Sequence, residues 1–467
     1  MKIAVLSGSP KGDSSVTLQY VKFIQRGFPQ HDLKIHHLSQ NIQRIEKDER
    51  IFTEIIDDVR SSDGVLWAFP VYVFLVPSQY KRFIELIWEK GVQDAFNNKY
   101  TAVLTTSIHF YDHTAHNYMR AICDDLDMNF VDSFSADMGD IFTDQMRARL
   151  LIFARDFFAA IENRLPTAKI HLPLVDSRFR YVPGSAKSKI DTHGKRIVVV
   201  TDVQDDQSNL ARMVKRVSQS FRQDIEVVNL YDINIKGGCL GCIQCAFDNV
   251  CVYQGKDEFV DFFNAKQRDV DINIYAVTIK DRYLSSRFKM HLDRSFFNGH
   301  VPLFTGKQMG FIVSGPLSQI ANLRQILEAE AGISKANLVD IITDECANSS
   351  RLDALLHSFA SKCVQLSLEN YIRPPTFLAV GGHKVFRDFI WARARFPFLS
   401  DYRYYRRHGM FDFPQKDKRH LERNKRMLDL VKTPEMRETV RKMMKTKIVE
   451  PYREAAETAQ ITYEEPL

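Results

Sequence analysis

The feature that most constrains the fold is an alternation of strand and helix patterns that occurs twice in the same order. The first series contains the strand-like segments KIAVLSGSP, DLKIHHLS, DGVLWAFP and KYTAVLTTS, separated by amphipathic helical segments. A second series begins near Lys195 with RIVVVTDVQ and DIEVVNLYD and continues with DINIYAVTI and KQMGFIVSGP. β-Branched runs that alternate with helical patterns favour a parallel sheet covered by helices on both faces. We therefore predict an α/β chain with two tandem doubly wound parallel sheets.

Composition shifts along the chain divide it into four predicted parts. The first sheet domain spans residues 1–165 and the second spans residues 195–370. A stretch rich in Pro, Gly and Ser joins them, so we assign residues 166–194 to a linker. Residues 371–467 form a basic, aromatic-rich segment with helical patterns.

The first strand-to-helix turn of the amino-terminal half has the composition of an anion site. It reads Ser7-Gly-Ser-Pro-Lys-Gly-Asp-Ser-Ser-Val-Thr17. Small hydroxyl residues allow backbone N–H groups and the helix N-terminus to surround a phosphate, and Lys11 adds a positive charge. The predicted phosphate-binding residues are Ser7, Ser9, Pro10, Lys11, Ser15 and Thr17.

Two further loops of this half should lie at the same sheet edge. The third strand runs into FPVYVFLVP, an aromatic loop stiffened by Pro70 and Pro77, and the fourth runs into SIHFYDHTAH. Ligands of doubly wound sheets bind at the carboxyl ends of the strands. A flat aromatic slot beside a phosphate turn predicts FMN. The predicted contacts in these loops are Pro70, Val71, Tyr72, Phe74, Ser107, His109 and Phe110.

The same loops contain the candidate acid–base groups, which are His109, Tyr72 and Tyr111. Histidine titrates near neutral pH and can donate a proton at a flavin edge. A metal site formed by His109, His113 and His116 is an alternative that the spacing leaves open.

The second half contains a compact cysteine run, GGCLGCIQCAFDNVC, with the spacing C-x2-C-x2-C-x5-C. A [4Fe–4S] cluster can be wrapped by one such loop, whereas zinc sites usually draw on two separated pairs. We predict cluster ligation by Cys239, Cys242, Cys245 and Cys251. Zinc or structural cysteines and a redox-active or vestigial thiol cluster are the alternatives. The turn that matches the phosphate turn here reads TDVQDDQS, and its three carboxylates would repel a phosphate.

The net positive charge of the chain resides in the carboxy-terminal segment. Residues 371–467 have 21 Lys and Arg against 13 Asp and Glu, a net of +8, whereas the whole chain has a net charge of +6. We favour a helical cap packed on the sheet domains over docking to an acidic redox partner. Peripheral membrane contact is a less favoured alternative, and nucleic acid binding is not expected.

No secretory leader is evident from the sequence, because Met1 leads directly into a strand. The best candidate for a membrane span, GVLWAFPVYVFLVP, is too short and is interrupted by prolines. We therefore expect a cytoplasmic protein, in which clustered thiols indicate a metal or redox chemistry rather than disulfides.

Three of these motifs resemble those of a known family. GSPKGDSSVT, FPVYVFLVPSQYKRFIEL and GGCLGCIQCAFDNVC followed by GKDEF resemble the flavodoxin-like NAD(P)H-dependent FMN reductases, and especially the iron–sulfur flavoproteins of anaerobes. The chain is similar to a longer subgroup in which two such domains are fused and followed by a basic segment. In single-domain relatives the flavin and cluster motifs share one domain, whereas here they are divided between two.

The combined expectation is an FMN-dependent oxidoreductase. The resemblance implies NAD(P)H as electron donor, and reduced ferredoxin is an alternative donor. Electrons would pass through FMN and a [4Fe–4S] cluster to a small-molecule or protein acceptor, in a homo-oligomer. The alternatives are a non-enzymatic electron carrier that docks ferredoxin-like partners and a scaffold protein with vestigial cofactor sites.

Overall fold

The computed structural model describes residues 1–176, 179–185, 188–346, 348–413 and 418–458. The chain forms two compact units, Met1–Tyr404 and Tyr405–Leu467. Both sheets belong to the first unit, so the contacts within the chain do not separate them. The domain boundaries at residues 165, 194 and 370 stay a prediction.

The first sheet is parallel, with the strand order β2-β1-β3-β4-β5. Its strands are β1 (Lys2–Ser7), β2 (Asp32–His37), β3 (Gly64–Pro70), β4 (Tyr100–Ser107) and β5 (Asn129–Asp137). The associated helices are α1 (Val16–Gly27), α2 (Leu38–Lys47), α3 (Glu49–Ser61), α4 (Ser78–Glu89), α5 (Asp112–Asp125) and α6 (Asp144–Glu162). The central strands β1, β3 and β4 are buried over nearly their whole length, which is why they read as continuous apolar runs.

The second sheet repeats this order as β7-β6-β8-β10-β11, and a short strand β9 pairs antiparallel with β8. Its strands are β6 (Ile197–Thr201), β7 (Glu226–Asn229), β8 (Ile272–Lys280), β9 (Tyr283–Leu284), β10 (Gln308–Ser314) and β11 (Asn337–Thr343). The associated helices are α7 (Asn209–Ser218), α8 (Phe259–Phe262), α9 (Ser286–Ser295), α10 (Ala321–Ile333) and α11 (Ser349–Leu368). The prediction of two tandem flavodoxin-like sheets is confirmed.

The carboxy-terminal segment is helical, as predicted. Its helices are α12 (Phe377–Asp388), α13 (Leu399–Arg407), α14 (Lys418–Leu430) and α15 (Pro434–Thr458). Helix α12 packs closely on α10, since a Cβ added to Gly332 would lie 2.9 Å from the Cβ of Ala379. None of the helices within the described residues has the length and apolar character that a membrane span requires.

The two halves join through α4 and α9, and each helix is capped by a carboxylate of the other. The backbone N–H of Ser286, in the first turn of α9, donates to Oε1 of Glu85 on α4 at 2.6 Å. Reciprocally, the N–H of Ser78 in α4 donates to Oδ2 of Asp293 on α9 at 2.7 Å. Negative charge near a helix N-terminus satisfies orphan N–H groups and interacts favourably with the helix dipole. The exchange relates the halves by an approximate two-fold, as in an isologous interface.

Each of these carboxylates also pairs with a lysine one turn earlier on its own helix. Lys81 donates to Glu85 at 3.0 Å and to Asp281 at 2.8 Å, and Lys289 donates to Asp293. The lysine and carboxylate side chains are almost completely buried. Buried charges of this kind are tolerated only when they are paired and hydrogen-bonded, so the two pairs fix the register of α4 against α9.

Candidate functional site

The amino-terminal turn forms the polar end of a cavity. Ser15 is the N-cap of α1 and accepts from the N–H of Leu18, so the first N–H groups of the helix face the turn. Thr17 exchanges a 2.6 Å hydrogen bond with Thr106 at the end of β4, which fixes α1 against the sheet. Gly12 has a φ of +54°, and a Cβ there would collide with Gln40. This curvature leaves a small polar concavity with Lys11 at its edge.

The loop after β3 provides one wall of the same cavity. It turns sharply, because Val73 and Phe74 both have positive φ values of 38° and 68°, and Tyr72 pairs with Leu75 across the turn. The N–H of Val71 donates to the carbonyl of Thr106, so this loop is held against the end of β4. Backbone in this rarely populated region persists only where its surroundings determine it.

The cavity has a volume of about 330 Å³ and contains most of the predicted flavin contacts. The predicted residues in its lining are Ser9, Lys11, Ser15, Thr17, Pro70, Val71, Tyr72, Phe74, Ser107 and Phe110. Ser7, Pro10 and His109 are not in the lining. Ser7 is buried at the end of β1, where it pairs with the neighbouring strands.

The second half closes the cavity that the first half opens. Cys239, Gly241 and Ile243 of the cysteine loop lie in the lining. A Cβ added to Gly241, which has a φ of +61°, would lie 1.9 Å from Oη of Tyr72 and 3.1 Å from Cε of Lys11. The cysteine loop therefore lies directly on the phosphate turn and the aromatic loop. Motifs from the two halves of the sequence therefore meet at one cavity.

The carboxy-terminal segment covers the remaining side with aromatic rings. Phe386 of α12 stacks on Phe110 at 4.0 Å between ring centroids, and Phe389 and Phe398 also line the cavity. His300 packs edge-on against Phe386 and Phe398 at 4.7 Å, and its Nδ1 lies 2.6 Å from the carboxylate of Asp401. Residues up to Asp401 thus pack on the sheet domains, which agrees with the favoured interpretation of this part as a cap.

The three candidate acid–base residues occupy different environments. Tyr72 lines the cavity, and burial together with Cys239, Asp293 and Cys242 holds the pKa of its phenol well above the usual range. Tyr111 is buried under α12, where its hydroxyl donates to the carbonyl of Leu378, and burial raises its pKa.

His109 is half exposed, and its Nδ1 lies 2.8 Å from the carboxylate of Asp112. Neither His109 nor Tyr111 lines the cavity, so of the three candidates only Tyr72 does so. His116, which is partly buried, shares a 2.7 Å hydrogen bond with Thr105, and burial lowers its pKa. His109 and His116 therefore have structural partners.

The four clustered cysteines are free thiols, and of these Cys239 lines the cavity. Burial raises the pKa of Cys239 and that of Cys245 to about 12, and unfavourable interaction with neighbouring thiols contributes in both cases. Cys242 contributes to the pKa shift of both groups and Cys251 to that of Cys245, so each of the four thiols lies near at least one other. Within the described residues, no three His, Cys, Asp or Glu side chains surround a position suited to a single metal ion.

The matching turn of the second half contains a buried carboxylate where the first half has its concavity. Asp202 accepts hydrogen bonds from the N–H of Thr278 at 3.0 Å and from the hydroxyl of Ser285. Burial raises its pKa to about 6. The side chain thereby ties β6 to β8 and to the N-cap of α9, in agreement with a turn that does not bind phosphate.

Glu330 on α10 lines the cavity but belongs to none of the sequence motifs described above. Its partly buried side chain lies in the lining, and burial raises its pKa to about 7. A signal was present, because Glu330 follows Leu323, Ile326 and Leu327 at helical spacing on the apolar face of α10. The aromatic lining residues of α12 gave no comparable signal, since their position depends on long-range packing.

No curated protein matches this chain. Among solved structures, an apo NADH:FMN oxidoreductase is 18% identical, with 34% of this chain and 89% of that chain covered and a TM-score of 0.29. The flavoenzyme NAD(P)H:(acceptor) oxidoreductase FerB from Paracoccus denitrificans is 19% identical, with 35% and 97% covered and a TM-score of 0.29.

An FMN-dependent NADH-azoreductase from Bacillus anthracis, in complex with FMN, is 14% identical, with 35% and 98% covered and a TM-score of 0.24. The match by family model concerns the amino-terminal half. Residues 1–140, which contain the phosphate turn and the aromatic loop, match the family described as NADPH-dependent FMN reductase.

Proposed function

We propose that this protein is an FMN-dependent oxidoreductase that takes electrons from NAD(P)H or a reduced protein donor. One observation carries the proposal: the phosphate turn, the aromatic loop and the cysteine loop line a single cavity. The family match over residues 1–140 supports the same chemistry independently.

The residues of the amino-terminal turn fit the phosphate of FMN. Ser9, Ser15, Thr17 and the first N–H groups of α1 offer donors, and Lys11 offers the charge that a dianion requires. Val71, Tyr72 and Phe74 would contact the isoalloxazine ring, which needs a flat, largely apolar surface. When bound, FMN supplies the ability to accept a hydride and to transfer electrons singly or in pairs.

The protein's own groups would exclude water and hold protons around this ring. The rings of Phe110, Phe386 and Phe398 shield the cavity from solvent, which strengthens electrostatic interactions inside it. Tyr72 remains a neutral phenol at physiological pH because burial and nearby acidic groups raise its pKa, so it can donate a hydrogen bond.

We further propose that Cys239, Cys242, Cys245 and Cys251 ligate a [4Fe–4S] cluster. The cysteine loop supplies the four thiols that such a cluster requires, none of them is in a disulfide, and the N–H of Gly241 points at the sulfur of Cys239 at 3.4 Å. Metal binding would lower the high thiol pKa values, since thiolates are the ligating species.

Anaerobic purification followed by a visible spectrum and NADPH titration tests the proposal. We expect bound FMN that NADPH bleaches, with iron and sulfide each near four per chain. A flavin that ferredoxin reduces but NADPH does not would favour the electron carrier, and a colourless protein would favour the scaffold. A protein that contains flavin but no iron would be consistent with the proposed oxidoreductase and would refute the proposed cluster.

A further inference from the structure

The carboxyl group of Glu330 is the acidic group that α10 contributes to the cavity lining. Ile333 and Ser334, one turn later, line the same cavity, so this face of α10 points inward. No described residue hydrogen-bonds to the Glu330 carboxyl. A partly buried carboxyl without a protein partner costs free energy unless a ligand or water supplies one.

Burial, rather than neighbouring charge, favours the neutral form of Glu330. On α9, Lys289 faces it, but the ammonium already donates to Asp293 and to the carbonyl of Tyr72 at 2.8 Å. Because the positive charge of Lys289 is already balanced by Asp293, an ionised Glu330 would add an uncompensated negative charge to a desolvated environment. The other titratable groups that interact with Glu330 are Tyr275 on β8 and Tyr283 on β9, and both are neutral phenols at physiological pH. Burial raises the pKa of Glu330 to about 7, and Lys289 opposes the shift.

Much of the cavity lining is apolar, and part of it is aromatic. Leu303, Phe296 and the ring stack of Phe110 on Phe386 contribute to it. A planar molecule can stack on aromatic rings, and a neutral carboxylic acid in the same lining can donate a hydrogen bond to an acceptor oxygen. A cation would require the ionised carboxylate.

We propose that Glu330 is the hydrogen-bond donor of a binding site for neutral, planar molecules that carry a carbonyl-type oxygen. The proposal deepens the proposed function, because it names the class of acceptor that the same cavity would take. In this proposal, the second half of the chain contributes the group that determines specificity.

A matched pair of probes, 9-fluorenone and fluorene, tests this assignment, because the two differ by the carbonyl oxygen. Binding is measured by calorimetry on the oxidised protein without electron donor, so the readout is independent of turnover. We expect the wild-type protein to bind fluorenone roughly fivefold more tightly than fluorene at pH 6, as one neutral hydrogen bond provides. This preference should be lost by pH 8.5, as the carboxyl ionises.

Variants distinguish the contribution of the hydrogen bond to probe binding from the contribution of cavity shape. Glu330→Gln keeps an N–H donor and should retain the preference at both pH values, whereas Glu330→Leu should lose it at both. Glu328→Gln on the exposed side of the same helix, where it pairs with Arg324, serves as the control and should behave as the wild type. Thermal unfolding followed by circular dichroism verifies that each variant is folded.

Three results would overturn the proposal: equal affinity for the two probes in the wild type, a fluorenone preference independent of pH, or a Glu330→Leu variant that retains the preference. These outcomes are distinguishable from failure of the proposed function. If the protein binds no FMN but still shows the pH-dependent preference, the proposed function fails and the assignment of Glu330 stands. If the protein binds FMN but shows no preference, only the assignment of Glu330 fails.

Discussion

Replacing Gly241 by alanine should displace the cysteine loop from the aromatic loop of the other half. The added Cβ would lie 1.9 Å from Oη of Tyr72, a distance that no pair of non-bonded atoms can adopt. The clash involves residues that are far apart in sequence, so it reports directly on the packing of the second half over the first. Tyr72→Phe removes the colliding oxygen and leaves the ring carbon Cζ at 3.0 Å.

The expected cost has two separable parts. Alanine at a φ of +61° costs about 1–2 kcal/mol of unfolding free energy because the left-handed region is strained for any residue with a Cβ. The overpacking against Tyr72 adds about 1–3 kcal/mol. Gly255→Ala isolates the first part, since Gly255 has a φ of +71° and a Cβ there meets nothing within 4 Å.

Urea unfolding of the single and double variants measures the coupling. We expect Gly241→Ala to lose about 2–5 kcal/mol and Gly255→Ala to lose only the backbone part. In the Tyr72→Phe background, Gly241→Ala should cost about 1–2 kcal/mol less than in the wild type. Additivity of the Gly241 and Tyr72 substitutions would refute the packing of the cysteine loop against the aromatic loop.

Two further predictions concern buried carboxylates. Glu85→Gln removes the charge that caps α9 and pairs with Lys81, so the unfolding free energy should fall by about 3 kcal/mol, as for a broken buried pair. The exposed substitution Glu54→Gln should change it by less than about 0.5 kcal/mol, and equal effects would contradict the capping role. The pKa of Asp202 rises from 3.8 to about 6 on folding. The folded state then binds more protons, so the contribution of Asp202 to stability is present below pH 4. We expect about 3 kcal/mol to be lost as the pH rises from 4 to above 6. Asp202→Asn should abolish this loss in unfolding curves recorded across that range, and an unchanged pH profile would contradict the assignment.

Local sequence rules account for the sheets and for the residues of the phosphate turn. The turn from Ser7 to Thr17 and the loop after β3 follow strands in positions that topology alone brings to one sheet edge. Their convergence was therefore predictable once the strand order was known. Ser7 at the end of β1, Pro10 and His109 are not in the lining, because a motif does not specify which side chain points inward.

The closure of the cavity was not predictable from local patterns. Gly241 meets Tyr72, and Phe386 meets Phe110, through contacts between segments far apart in the chain. Such contacts leave no periodicity in the sequence. The similarity of α4 and α9 is likewise weak in sequence, since the approximate symmetry is preserved in one lysine and one carboxylate per helix, four residues apart.

The central claim is that the two halves form one FMN site rather than two. Titration of the flavin-free protein with FMN, followed by quenching of flavin fluorescence, measures the number of sites directly. We expect one site per chain, which a bulky substitution in the second half, Gly241→Leu, should weaken although the phosphate turn is intact. Two sites per chain, none, or an affinity unaffected by Gly241→Leu would contradict this claim.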